Sequence, residues 1–183
     1  MTEVEFEKLK FPIGVFKRPE EISDKSIIDW IRDIEEFPTK VIQLSSNLSP
    51  TELNWKYRPM GWTIKQVIHH CCDSHLNSLI RFKLTLTEFM PVIRPYKESL
   101  WAELTDSHED NIELSVNLIS ALHAKWTFVL KHLTKEQLEL EYIHPANGDK
   151  FKLKEAIALY AWHCNHHLSH IKIGVLSEGK YND

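Results

Sequence analysis

Apolar residues recur at helical spacing in four long segments of the chain. The segments cover residues 23–48, 63–89, 110–133 and 154–177. In each segment the apolar positions return every three or four residues, which places them along one side of a helix. Because a helix with one apolar side must bury that side against a neighbour, the pattern predicts an all-α protein built as a four-helix bundle with long connections.

Two sequence motifs predict where helices begin, and one proline predicts an interruption. Thr63-x-x-Gln66 and Asp110-x-x-Glu113 both fit the capping box, in which the first and fourth side chains satisfy free backbone N–H groups at a helix start. We therefore expect the second and third long helices to begin at these motifs. Pro38 lies inside the first segment and, because its ring clashes with the preceding turn, is expected to kink or break that helix.

The segments outside the four helices predict shorter features. Residues 1–20 show no helical period and hold apolar residues between prolines and a glycine, so an extended arm on the surface is expected. Residues 49–57 are expected to add a short helical turn, and prolines interrupt a long connection over residues 90–109. The pair Asn147-Gly148 is typical of a tight turn and predicts a small hairpin.

Length and composition limit the classes of protein to consider. The 183 residues are 43% hydrophobic, and no repeat divides them, so residues 1–183 are expected to form a single domain. With 22 basic and 26 acidic residues, the net charge of −4 offers no basic field for nucleic acid or anionic lipid. The chain has no bilayer-spanning apolar run, and its acidic start lacks the apolar core of a signal peptide. We expect a cytoplasmic protein that acts on a small molecule, with no nucleic-acid or membrane partner.

The cysteines agree with a reducing compartment. Cys71, Cys72 and Cys164 are odd in number and have no C-x-x-C spacing. They lie within apolar-periodic segments, where free cysteine behaves as a small buried side chain. We expect three reduced, buried thiols.

Histidines are concentrated in "YAWHCNHHLSHI", residues 160–171, which contains His163, His166, His167 and His170. Residues four apart on a helix differ by only about 40° around its axis, so His163 points with His167, and His166 with His170. Such a pair can chelate a metal, and a facing helix of a bundle commonly completes the site. The second helix offers "VIHHCCDSH" for this purpose. Spacing alone does not choose between the two pairs.

Two histidines of the second helix are candidates for the third metal ligand. His75 lies on the apolar stripe of that helix, whereas His70 lies with Ser74, Asn77 and Arg81. Periodicity favours His75, but a metal that keeps an open coordination position needs a polar, hydrated pocket, which favours His70. Helix geometry leaves both possibilities standing.

Two long stretches of the chain resemble the YfiT group of the DinB-like superfamily. They are "GWTIKQVIHHCCDSHLNSLIRFKLTLTEFMPVIRPYKESLWAEL" and "LYAWHCNHHLSHI", and the likeness extends over nearly the whole chain. The resemblance implies a four-helix bundle, a homodimer and one divalent metal ion per chain, zinc in the first place and nickel in the second. It also implies a metal-dependent hydrolase whose ligands are His70, His163 and His167, without His166 or His170.

Three neutral imidazoles leave a divalent ion its full charge and a position for water. Such a site can activate water for hydrolysis or bind a substrate thiol as thiolate. A hydrolase and a transferase of a low-molecular-weight thiol of the bacillithiol type would therefore share these ligands. A third interpretation is a non-catalytic metal-binding bundle in which Cys71, Cys72 or another histidine closes the remaining position.

Three further residues are candidates for supporting roles. Asp73, one turn beyond His70, is the nearest carboxylate in sequence that could orient a ligating imidazole. Arg81 is a candidate for attracting an anionic group of the substrate, against the commoner role of arginine in a surface salt bridge. His166 is a candidate general acid or base, provided that it faces the open metal position.

Overall fold

Four long helices form the framework of the molecule. The computed structural model describes residues 1–145 and 148–182. Its α-helices and strands, in chain order, are α1 (Glu3–Lys10), α2 (Asp24–Ser45), α3 (Pro50–Leu53), α4 (Ile64–Thr87), α5 (Glu98–Trp101), α6 (Glu113–Lys131), α7 (Lys135–Leu138), β1 (Glu141–His144), β2 (Asp149–Lys152) and α8 (Leu153–Ser177), and a 3₁₀ helix spans Thr105–His108. The predicted all-α bundle is confirmed, with α2, α4, α6 and α8 in the four predicted segments.

The long helices pack in a closed ring around one core. α2 packs against α6 and α8, and α4 packs against the same two helices. Each helix contributes a large side chain that is at most 1% exposed: Phe37, Phe82, Trp126 and Ile157. Burying a side chain of this size stabilises the fold by about 1.5–3 kcal/mol. The predicted apolar stripes therefore face inward, and the histidines of α4 and α8 lie on helices that face each other.

The two predicted helix caps have different outcomes. Thr63 caps α4 as predicted, since its backbone N–H donates to Gln66 Oε1 at 3.0 Å while its hydroxyl accepts from the Gln66 N–H. The prediction for Asp110 is wrong, because α6 begins three residues later, at Glu113. Asp110 Oδ1 instead lies 2.6 Å from Lys65 Nζ. The Lys65 ammonium is largely buried, so it needs a nearby counter-charge, and the carboxylate serves that need.

The prediction of an extended arm over residues 1–20 is wrong for Glu3–Lys10, which form the helix α1. α1 has no buried residue, and a capping box between Thr2 and Glu5 stabilises its start. Acidic residues in its first turn and basic residues in its last turn add favourable interactions with the helix dipole. The arm beyond α1 is extended, as predicted, and lies on α8, where Trp162 Nε1 donates to the Gly14 carbonyl at 3.1 Å.

The connections follow the sequence signals in part. α2 continues through Pro38 without a break, whereas α3 supplies the short turn expected within residues 49–57. β1 and β2 pair in antiparallel register, which confirms the hairpin. Of its predicted turn, Asn147 lies outside the described residues, and Gly148 has a left-handed φ of 72° that glycine adopts readily.

The long connection after α4 is anchored to this hairpin. The backbone N–H of Ile93 donates to the Ile143 carbonyl, and the N–H of Ile143 donates to the Pro91 carbonyl, both at 3.0 Å. These bonds extend β1 on its free edge and hold the connection over one end of the bundle. Among the described helices, none is both long and apolar enough to cross a membrane.

Candidate metal centre

Three histidines from two facing helices meet in the bundle. His70 projects from α4, and His163 and His167 project from α8 one turn apart. The ring centroids are 5.4 Å apart for His70 and His163, 4.8 Å for His70 and His167, and 4.4 Å for His163 and His167. One ligand nitrogen of each lies within 4.8 Å of the others. The structure thus brings together the three residues that the family resemblance singled out.

The ionisation of these imidazoles suits metal ligation. Burial lowers the pKa of His70 to about 4, with a smaller contribution from His166. Burial also lowers the pKa of His163 and of His167 well below the ordinary histidine value, and the neighbouring histidines lower both further. All three are therefore neutral near pH 7, which is the form that coordinates a metal. Three neutral imidazole nitrogens fit a divalent ion such as Zn²⁺ or Ni²⁺.

A second group of histidines overlaps the first. His166, His167 and His170 also have ligand atoms within 4.8 Å of one another, so proximity alone does not exclude His166 or His170. The two nitrogens of His170 are already engaged: Nδ1 lies 3.3 Å from His167 Nδ1, and Nε2 donates to the Lys10 carbonyl at 3.2 Å. That engagement favours the first group, and the exclusion of His166 stays a prediction.

His75 is buried deeper than the three histidines, behind His163. Its Nε2 lies 3.0 Å from His163 Nδ1, and its Nδ1 lies 2.8 Å from His123 Nε2. Both nitrogens of this fully buried ring therefore have partners, and His70 takes the place on α4 beside the α8 pair. Periodicity had favoured His75 as the ligand from α4, and the contacts of both its nitrogens with other histidines favour His70 instead. The position of His75 on the apolar stripe also indicates polar partners within the core, because a buried histidine must form hydrogen bonds.

Among the described residues, no hydrogen bond joins Asp73 to His70, His163 or His167, so the predicted orienting role of Asp73 is not supported. His163 instead contacts His75 through Nδ1 and the Ser74 hydroxyl through Nε2, and His167 contacts His170. Burial, together with a smaller effect of the nearby Asp106 carboxylate, raises the pKa of the Asp73 carboxyl to about 6. The sequence pointed to a carboxylate one turn beyond His70, whereas the histidine partners of these imidazoles lie on α4 and on α8 itself.

A cavity of ≈ 310 Å³ opens beside His163. Its lining includes Ser74, Arg81, Tyr96, Glu98, Tyr142, Tyr160 and His163. Ser74 Oγ lies 3.4 Å from His163 Nε2, so the cavity reaches a candidate ligand nitrogen. Cavities of ≈ 380 and ≈ 460 Å³ lie along α2 and α6 and contain none of the three candidate ligands. The smaller cavity is therefore the one placed to admit a substrate.

Arg81 points into this cavity from α4. Its Nη1 donates to the Tyr160 hydroxyl at 3.1 Å, and its buried Nε has no hydrogen-bond partner among the described residues. The salt bridges of the described chain do not include Arg81. The guanidinium thus retains donor capacity and positive charge at the cavity wall. Tyr96, from the proline-bounded connection, forms part of the same wall and packs against Trp101.

The three cysteines are free and buried, as predicted. Burial raises the pKa of the Cys72 thiol to about 11 and the pKa of Cys71 well above its ordinary value. Ligation requires the thiolate, which this environment disfavours. The metal-binding groups found within residues 1–145 and 148–182 consist of histidines alone. Closure of the metal site by Cys71 or Cys72 is therefore not favoured.

Comparisons with known proteins agree with this site. The sequence profile of the DinB superfamily matches residues 33–171, a range that includes α4 and all three histidines. A Bacillus subtilis protein named "Putative metal-dependent hydrolase YfiT" is 44% identical over 163 residues, covering 89% of this chain and 92% of that protein. A similarly named protein of Halalkalibacterium halodurans is 45% identical over 163 residues, covering 89% and 94%.

A solved structure is also similar along most of its length. It is YfiT from Bacillus subtilis, described as a probable metal-dependent hydrolase with an unusual four-helix bundle topology. The TM-score is 0.88 at 43% sequence identity, and the match covers 90% of this chain and 94% of that chain. The fold and the helices that carry the histidine cluster are thus shared with proteins that are named for metal-dependent hydrolysis.

Proposed function

The chain belongs to the DinB superfamily, and from that premise we propose that it is a metal-dependent hydrolase with one divalent ion per chain. His70, His163 and His167 hold the ion. The observation that carries the proposal is the convergence of their ligand atoms, within 4.8 Å of one another, from two facing helices. Zinc is the expected ion and nickel the alternative, since imidazole ligands suit both.

The proposed centre provides activation of water. When bound, a divalent ion with three neutral ligands supplies Lewis-acid charge that makes a water molecule more acidic. The chain itself keeps the ligands neutral through burial, and it confines the substrate to the cavity next to His163. Substrate and water would then meet at one side of the histidine cluster.

Arg81 and His166 have proposed roles around the substrate. Arg81 is proposed to bind an anionic group of the substrate, supported by its unpartnered Nε and its bond to the Tyr160 hydroxyl. His166 is proposed to accept a proton during the reaction. Burial lowers its pKa to about 4, so the ring is neutral near pH 7. Its buried Nδ1 has no hydrogen-bond partner among the described residues, which leaves it available to a proton.

A metal analysis combined with a substrate screen tests this function. The purified protein is assayed for zinc and nickel, then supplied with esters and amides and, separately, with thiol and electrophile pairs. Metal-dependent cleavage of an ester or amide that is lost in His163→Ala supports the proposal. Turnover of only thiol and electrophile pairs would instead identify a thiol transferase, and bound metal without either activity would identify a non-catalytic bundle.

We further propose that the protein is a cytoplasmic homodimer. The arm leaves Ile13 and Val15 exposed, whereas Phe11 and Phe16 are partly buried within their own chain. These exposed side chains offer apolar surface to a second copy, and the three free thiols suit a reducing compartment. Sedimentation at micromolar concentration tests the dimer, and a monomer alone would contradict it.

A further inference from the structure

We propose that two histidine relays, each ending on a backbone carbonyl, fix the tautomers of His163 and His167 so that both present an unprotonated Nε2 to the metal. The His163 relay consists of His163, His75, His123 and the Ile34 carbonyl. The His167 relay consists of His167, His170 and the Lys10 carbonyl. The inference rests on the proposed metal site, and it assigns His75, His123 and His170 as positioning residues.

The His163 relay starts in α2. His123 Nδ1 lies 2.6 Å from the Ile34 carbonyl oxygen. A carbonyl oxygen can only accept a hydrogen bond, so His123 Nδ1 carries the hydrogen. A neutral imidazole has one N–H, and burial keeps His123 neutral. His123 Nε2 is therefore a lone-pair acceptor.

The position of the hydrogen on His123 determines the position of the hydrogen on His75 and, through His75, on His163. His75 Nδ1 lies 2.8 Å from His123 Nε2 and must donate to it, which leaves His75 Nε2 as an acceptor. His163 Nδ1 lies 3.0 Å from His75 Nε2 and therefore carries a hydrogen. The remaining nitrogen of His163, Nε2, has the free lone pair that a metal requires.

The His167 relay is shorter and starts at the end of α1. His170 Nε2 lies 3.2 Å from the Lys10 carbonyl oxygen and must donate to it. His170 Nδ1 is then an acceptor, and it lies 3.3 Å from His167 Nδ1. His167 Nδ1 therefore carries the hydrogen, and His167 Nε2 keeps the lone pair. The same tautomer is thus set on both α8 ligands by independent chains of contacts.

Packing holds the rings of the relays in place. His75 makes an edge contact with Phe37 at a centroid distance of 5.0 Å, and His123 stacks on the same ring at 5.3 Å. His170 stacks on Tyr57 at 3.9 Å. Because these rings cannot turn freely, a hydrogen on Nε2 of His163 or His167 would leave the Nδ1 lone pair of that ring facing the lone pair of His75 or His170, two buried acceptors without a hydrogen between them. The relays therefore favour the tautomer that binds metal before any metal arrives.

The His167 relay also gives α1 a role. This helix has no buried residue of its own, yet its last residue, Lys10, supplies the carbonyl on which the relay ends. The N-terminal segment is thereby coupled to the metal site through one hydrogen bond.

The tautomers are measured directly in the metal-free wild-type protein by long-range ¹H–¹⁵N NMR of the imidazole nitrogens. We expect the hydrogen on Nδ1 in His163, His167, His75 and His123, and on Nε2 in His170. A hydrogen on Nε2 of His163 or of His167 overturns the proposal. This measurement needs no variant, so it decides the matter even where a substitution prevents folding.

Variants of His75 test the consequence for metal binding. His75→Leu removes the acceptor from His163 Nδ1, and its zinc affinity should fall about 10- to 100-fold, the usual effect of losing a partner of a ligating histidine. His75→Gln places an amide oxygen near the former Nε2 position and should recover most of the affinity. An affinity in His75→Leu within twofold of the wild type overturns the proposal.

A matched control separates the relay from the loss of any buried imidazole. His69 is buried on α4 too, but its nitrogens contact Ser115 and the Glu109 carbonyl, outside both relays. His69→Leu should keep wild-type zinc affinity, with circular dichroism confirming that both variants fold. If wild-type protein binds no zinc while showing the expected tautomers, the proposed metal function fails and the relay stands. If the wild-type protein binds zinc but shows the opposite tautomers, the relay proposal fails and the proposed metal function stands.

Discussion

In the proposed metal site, His70, His163 and His167 each supply one nitrogen ligand. Changing His70, His163 or His167 to Ala leaves at most two imidazoles, too few for the usual three-ligand catalytic zinc site. We expect bound zinc to fall from one ion per chain to near zero in each variant, as measured by elemental analysis after dialysis. His166→Ala should keep its ion. Stoichiometric zinc in His70→Ala would show that the ligand from α4 was wrongly assigned.

The position of Arg81 leads to a prediction about the charge of the substrate. Arg81 lines the cavity and its Nε has no hydrogen-bond partner among the described residues, and a hydrogen bond from a charged group contributes about 1.5–3 kcal/mol. Arg81→Gln should therefore lower kcat/KM for an anionic ester by about 10- to 100-fold. A neutral ester that differs only by a carboxamide in place of the carboxylate serves as the control and should change little. Equal losses on both esters would contradict a role in charge recognition.

The sequence predicted the candidate ligands better than their partners. Spacing on one helix places His163 beside His167 before any tertiary structure is known. By contrast, the contact between His75 and His123 joins α4 to α6, and it depends on the rotation of each helix about its axis. The contact of His170 with the Lys10 carbonyl depends on where α1 ends. The spacing of residues along one helix gives neither the rotation of the helices nor the end of α1, so both relays could be identified only from the structure.

At the scale of helices, whether the sequence predicted a helix depended on what stabilises that helix. The long helices are stabilised by a buried apolar face, and the apolar period revealed all four. α1 has no fully buried residue and is stabilised by its cap and its end charges, so the apolar period did not predict it. The start of α6 moved because Asp110 pairs with Lys65 from α4. A cap motif predicts a helix start only where no distant residue competes for its side chain.

The contact between α8 and the start of α4 gives a prediction about packing. A Cβ atom on Gly174 would lie 2.6 Å from Ile64 Cγ1, inside the contact limit of two carbon atoms. Overpacking of this kind costs about 1–3 kcal/mol, which exceeds the gain of about 0.5–1 kcal/mol from replacing a helical glycine by alanine. Gly174→Ala should therefore lower the free energy of unfolding measured in urea.

The matching double variant removes the clash. In an Ile64→Ala background the branched side chain is gone, and Gly174→Ala should then be neutral or stabilising. Destabilisation of the same size in both backgrounds would show that the close approach to Ile64 is not the cause.

At the scale of the whole molecule, the buried histidines determine how stability depends on pH. Burial lowers the pKa of His70 and of His123 to about 4, and that of His170 to about 3. In the unfolded chain a histidine titrates near 6.5. Between these values the unfolded chain binds protons that the folded chain does not, so stability falls as pH falls. Asp73 acts in the opposite direction, because its raised pKa of about 6 lets the folded chain take up one proton first.

The histidines outnumber Asp73, so acid should destabilise the metal-free protein below pH 6.5. Each buried histidine lowers stability by about 1.4 kcal/mol per pH unit between its two pKa values, and domains of this kind are stable by only about 5–15 kcal/mol. Urea unfolding of the metal-free protein at pH 7.5, 6.5, 5.5 and 4.5 should show little change over the first step and a progressive loss over the next two. A single transition at each pH is expected, since residues 1–183 are predicted to form one domain.

His123→Asn removes one such group and should flatten the slope by about one proton. Constant or rising stability between pH 6.5 and 4.5 would mean that the folded protein holds these histidines charged, contrary to the neutral cluster on which metal binding depends.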